Sequence, residues 1–114
     1  MIQIFRTEDG VVQQKDERLP GSRIALTNPT ATEILEISDA YQIDPDHLRA
    51  PLDEEERSRI EVEDNYTLVL VDIPAIEERN GKDWYVTIPL GIVMTSDLLI
   101  TVCLEETPVL SVFM

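Results

Sequence analysis

Carboxylates are the one reactive group that this sequence holds in quantity. They run together at Asp53-Glu54-Glu55-Glu56 and return at "EVED", Glu61 to Asp64. Hard oxygen ligands of this kind suit Mg2+ or Ca2+, so Asp53, Glu54, Glu55 and Glu56 are weak candidates for holding a cation. Their spacing fits no EF-hand loop. No carboxylate stands beside a nucleophile or partner that would let a general acid and a general base be assigned. Adjacent like charges repel unless a helix N-terminus or a cation offsets them, so the plainer reading of "DEEER" is a solvated turn of helix. The single histidine, His47, has no cysteine or second histidine at ligand spacing. It supports neither a zinc site nor a histidine-based triad, and reads as an exposed helical side chain. Gly10, Gly21, Gly81 and Gly91 are scattered singly, so no glycine-rich loop cradles a phosphate. Cys103 stands alone inside "LLITVCL", where it reads as a small buried apolar residue with no disulfide partner. No catalytic residue and no tightly bound cofactor is assigned.

The elements that would position these groups can be read in chain order. Ile2 and Ile4 alternate with polar residues, Asp9-Gly10 is a hairpin-turn pair, and "VVQQ" follows, so the chain opens on a β-hairpin. After Leu19-Pro20-Gly21 a short strand, "RIAL", leads into a helix start at Thr30. Glu33 stands three residues on, the spacing of a capping box, and Ile34, Ile37, Ser38 and Tyr41 then recur at helical intervals. This predicts a helix from about Ala31 to Tyr41. Asp44-Pro45 repeats the start signal for a second, shorter helix that Pro51 ends. "YTLVLVDI" is apolar on both faces, the pattern of an interior strand covered on each side. Asn80-Gly81 marks another hairpin, and in "WYVTIPLGIVM" Trp84, Val86, Ile88, Leu90, Ile92 and Met94 share one face. Pro89 cannot donate to a ladder, so its part of the strand belongs at an edge or bulge. "LLITVCL" supplies a further apolar strand.

A chain of 114 residues with 43% apolar residues can bury one core but not two, so residues 1–114 read as a single domain. The formal charge of −14 repels phosphate backbones and anionic lipids and attracts divalent cations or basic partners. Nucleic acid is therefore not expected as a ligand. No apolar run reaches the roughly 18 residues that would span a bilayer, and nothing resembles a signal-peptide core. The apolar ending "TPVLSVFM" suggests a piece of something longer.

The order "RIALTNPTATEILEISDAYQIDPDHL", "RSRIEVEDNYTLVLVDIP" and "DLLITV" resembles the cytoplasmic N-terminal domain of CorA-type magnesium transporters, from about Arg23 to Val102. Pro29 and Glu33 fit that family's "P-x-x-x-E", Ile43-Asp44-Pro45 its "I-x-P" turn, and Arg59, Glu61, Asp64 and Tyr66 its "R-x-E-x-x-(D/E)-x-Y". A later family strand corresponds to Leu99-Ile100-Thr101-Val102. Two departures stand out. Family members often carry a tryptophan in the strand before the first helix, where this chain has Arg23-Ile24-Ala25-Leu26. The family's "L-E-D" after the turn falls on Leu48, Arg49 and Ala50, so the aspartate that helps bind regulatory Mg2+ between subunits is replaced by alanine.

The resemblance implies an α/β fold, with a mixed, largely antiparallel central sheet covered by helices on both faces as an α/β/α sandwich. It implies a non-enzymatic regulatory and assembly domain of a divalent-cation channel, soluble and on the cytoplasmic side of the cell membrane. Its partners would be other subunits of the same transporter in a homo-oligomer. Contact with the membrane would come only through a long helix and transmembrane part beyond residue 114. Mg2+ binding by the domain itself would be weak. A free-standing acidic α/β binding module without catalytic activity is the alternative; a downstream long helix and two apolar spans separate the two.

Overall fold

Asp9 and Gly10 take positive φ, 53° and 77°, as a two-residue turn with the twist of its flanking strands requires. They join β1 (Ile2–Glu8) to β2 (Val11–Lys15) in a computed structural model that describes residues 1–105. β3 (Arg23–Thr27) follows, and then α1 (Ala31–Tyr41). The start of α1 is fixed by the capping box. Thr30 Oγ1 accepts from the Glu33 N–H at 3.2 Å, while Glu33 Oε1 accepts from the Thr30 N–H at 2.9 Å. The helix ends at Gln42, which turns the backbone left-handed at φ 56°. Asp44 caps α2 (Pro45–Arg49), which tightens into a 3-10 turn at Ala50–Leu52 rather than stopping at Pro51. β4 (Arg59–Val62), β5 (Thr67–Arg79), β6 (Lys82–Met94) and β7 (Leu99–Cys103) complete the described elements. "TPVLSVFM" lies outside the described residues.

The strands form one seven-stranded sheet in the order β2-β1-β3-β7-β6-β5-β4. Every neighbouring pair is antiparallel except β3 and β7, which run parallel. The sheet is thus mixed and largely antiparallel, as read from the sequence. β7 occupies the centre and, among the described strands, is the one that joins the first three to β4, β5 and β6.

Register explains the core. Ile4, Ile24, Ile100, Val93 and Leu68 are successive partners across five strands and therefore share a face. Ile34 and Ile37 of α1, Ile43, and Leu48 of α2 bury this row in the larger apolar cluster. The 3-10 turn lies so close that a Cβ added at Gly91 would overlap Pro51 Cγ. Both described helices cover this first face. On the second face Ile73, Ala75, Ile88, Leu90 and Cys103 form a smaller buried cluster flanked by Val71, Val86 and Ile92. No helix among the described residues packs against it. Ile60, Val62, Trp84 and Met94, which the register puts on the same face, are exposed.

β5 departs from the interior strand expected of it. Leu68 and Leu70 are buried, whereas Val69 and Val71 are only half-buried and the strand is exposed beyond Ala75. Val69 and Val71 point to the second face, against which no described helix packs, and length adds the rest: the β5–β6 hairpin pairs from Thr67–Met94 out to Arg79–Lys82, while β4 accompanies β5 only from Thr67 to Leu70. Pro89 shows the same overhang. β7 pairs with β6 from Leu90 to Met94, so Pro89 sits where β6 has lost one neighbour and an absent N–H costs little.

Candidate functional site

α2 and β4 bring the acidic run, the histidine and the family-like motif to one place. Arg59 and Glu61 stand two apart on β4, so both project to the helix-covered face. Tyr66 precedes β5 and is buried. Its hydroxyl accepts from the Asp44 N–H at 3.2 Å and meets His47 Nδ1 at 2.5 Å. When the hydroxyl donates its hydrogen bond to Nδ1, the neutral imidazole carries its proton on Nε2. That nitrogen lies 3.0 Å from Glu61 Oε2. Oε2 is buried without a well-aligned hydrogen bond, so this last contact is chiefly electrostatic. Arg59 approaches Glu61 Oε1 through Nε at 3.5 Å and pairs with Glu56 through Nη1.

His47 is therefore not the exposed side chain expected from sequence. Only 15% of its side chain is accessible, and its ring meets that of Tyr66 edge-on with centroids 5.7 Å apart. Burial pushes the Tyr66 hydroxyl above its ordinary pKa; the Asp44 N–H opposes the shift, and the charges of Glu63, Asp44 and Glu61 add to it. A tyrosine kept neutral and already bonded on both sides is a poor nucleophile. Tyr66, His47, Glu61 and Arg59 act instead as a fastener between α2 and the β4–β5 edge. Asp64, the remaining motif position, makes no contact in this network.

The four carboxylates singled out from sequence do not converge. Asp53, Glu54 and Glu55 are exposed and Glu56 is half-buried. Asp53 Oδ1 accepts from the Glu55 N–H at 3.0 Å, and Glu56 is engaged by Arg59. Asp53 and Glu56 do line an open cavity of about 510 Å³ with Asp46, His47, Arg49 and Ala50, but Arg49 and Arg59 share the lining. Among the described residues no group of three or more His, Cys, Asp or Glu side chains is arranged to hold a metal ion. Ala50 adds only a methyl group to this lining.

The sequence profile described as CorA-like Mg2+ transporter protein matches residues 24–114. The chain belongs to the CorA-like family. Its fold agrees with two solved structures from Methanocaldococcus jannaschii. One is the soluble domain of CorA, with a TM-score of 0.78 at 23% identity, covering 99% of this chain and 44% of that one. The other is the complete CorA magnesium transporter, with a TM-score of 0.75 at 20% identity, covering 99% of this chain and 35% of that one. The CorA-like chain thus spans less than half the length of either. No curated protein matches its sequence. No helix among its described residues is long and apolar enough to cross a membrane.

Proposed function

We propose that the chain is a cytoplasmic regulatory and assembly domain of a CorA-like divalent-cation channel, without catalytic activity of its own. The single observation that carries this reading is the family match, which runs through the His47–Tyr66–Glu61 fastener and on through β7. In this reading copies of the domain pack together in a homo-oligomer on the cytoplasmic side of the cell membrane. Membrane contact comes through segments after residue 114, and residues 1–114 act as one unit. Helical cover for the second face belongs to the same reading, supported by the apolar Ile60, Val62, Trp84 and Met94 exposed there. The domain attracts Mg2+ weakly through Asp53, Glu54, Glu55 and Glu56, because Ala50 offers no ligand. The test is the coding sequence immediately downstream. A long charged helix and two apolar spans of about 20 residues, separated by a short loop, are expected. A stop codon directly after residue 114 would overturn the proposal.

A further inference from the structure

Asn80 and Gly81 form the loop at the free end of the β5–β6 hairpin. Beyond Leu70 on β5 and before Leu90 on β6 the two strands pair, among the described residues, only with each other, and residues 76–85 are exposed. A ribbon of two strands is marginal in water, so its tip opens at low cost. Arg79 turns to Glu77, and no hydrogen bond among the described residues engages the Asn80 amide or the Gly81 N–H. Nothing lies within 4 Å of the place a Gly81 Cβ would take, so the approach to its nitrogen is open.

An asparagine amide followed by a free main-chain N–H can close a five-membered ring with it. The other two asparagines each lack a requirement for this. Asn28 precedes Pro29, which has no N–H. Asn65 Nδ2 donates to the carbonyls of Tyr41 and Gln42 at 3.3 and 3.0 Å, which holds its amide on the end of α1, and buried Tyr66 follows it. We propose that Asn80 is a site of spontaneous deamidation, converting to aspartate and isoaspartate while the domain stays folded. The Gly81 nitrogen gives its proton to solvent and attacks Asn80 Cγ; the N–Cγ bond forms, the Cγ–Nδ2 bond breaks, and Nδ2 takes a proton and leaves as ammonia. Water then opens the succinimide, at Cγ to give aspartate or at the main-chain carbonyl carbon to give isoaspartate. With φ of 52° and 75° the pair is held in its turn, and ring closure rotates Asn80 out of it, so the reaction runs from the opened tip. Either product adds one negative charge to the net −14. Isoaspartate also puts an extra carbon into the main chain, which a two-residue turn cannot hold, so the pairing of Arg79 with Lys82 is lost. The reacting atoms belong to the loop between the strands, so cover on either face of the sheet does not enter the step, and the channel reading is not needed for it.

The experiment incubates the folded 114-residue chain in mildly alkaline buffer beside an unstructured peptide of residues 77–83, and follows each asparagine by mass-spectrometric peptide mapping that separates the two isomers. Asn80 is expected to react in the folded chain no more than about tenfold slower than in the peptide, an opening cost of at most about 1.4 kcal/mol. Asn28 and Asn65 should stay intact, and circular dichroism should show the fold retained as product accumulates. Asn80→Gln, whose longer side chain would have to close a six-membered ring, should release no ammonia at this position on the same timescale. The proposal is overturned by a folded chain that reacts more slowly than that limit, which would show that the turn protects Asn80, by Asn65 reacting as fast as Asn80, or by product that appears only as the fold is lost.

Discussion

The Tyr66 hydroxyl serves two groups of one element, the Asp44 N–H at the head of α2 and His47 within it. Tyr66→Phe removes the shared oxygen and leaves both without a partner in a part-buried site. It should destabilise the domain by about 1–3 kcal/mol, measured as a lower urea midpoint, with little change in fold. An unchanged midpoint would show that the fastener is ornamental. Glu33 gives a pH dependence with a definite sign. The Thr30 N–H hydrogen bond holds its carboxyl below the usual glutamate range, helped by the hydrogen bond and charge of the N-terminal ammonium. A depressed carboxyl contributes stability at pH values above its unfolded pKa, and that contribution is lost as pH falls through the folded value. Glu33→Gln should therefore lose less stability than the parent between about pH 6 and pH 3, compared by urea denaturation at each pH. A parallel fall in both proteins would remove the claim. Thr30 and Glu33 could be read from sequence because a capping box is local. His47 could not, because its partners arrive from β4 and from the start of β5. The one available signal was that Arg59 and Glu61, two apart on a strand, must share a face.

At the level of elements, the 3-10 turn packs directly onto β6. Gly91 has no Cβ where Pro51 crosses it. Gly91→Ala forces the turn off the sheet and should cost about 1–3 kcal/mol by overpacking. Pro51→Ala in the same chain should return part of that loss, so the double variant is less destabilised than the two single effects summed. Strict additivity in thermal melts would mean that the two residues do not meet. Hairpins and helices were legible because turn pairs and periodicity fix them locally. Asn80 and Gly81 turn with φ of 52° and 75°, as the dipeptide implied. Two-sided burial of β5 was misjudged because an apolar run reports what a strand can bury, while the cover over each face of the sheet and the reach of its neighbours decide what it does bury. The parallel pairing of β3 with β7 joins residues that are far apart in the chain, and no short-range pattern announces it.

Over the whole molecule the charge of −14 should dominate cation binding. A field without a set of converging ligands concentrates Mg2+ near the surface and does not strip its water. Titration calorimetry in about 0.15 M salt should show only millimolar, salt-sensitive binding. Micromolar binding at one site per chain would show that other carboxylates replace what Ala50 lacks. The central place of β7 carries a different consequence, for biosynthesis. A ribosome delivers β1, β2 and β3, then β4, β5 and β6, and among the described strands these two sub-sheets are hydrogen-bonded to each other only through Leu99–Cys103. The emerging chain therefore holds two half-sheets with raw inner edges, each open to unwanted pairing until β7 leaves the exit tunnel. Nascent chains of increasing length fused to an arrest peptide should show one late pulling-force peak, at lengths that expose Cys103. A strong peak before Leu99 emerges would mean that half of this sheet folds on its own, and that the last strand joins a structure already made.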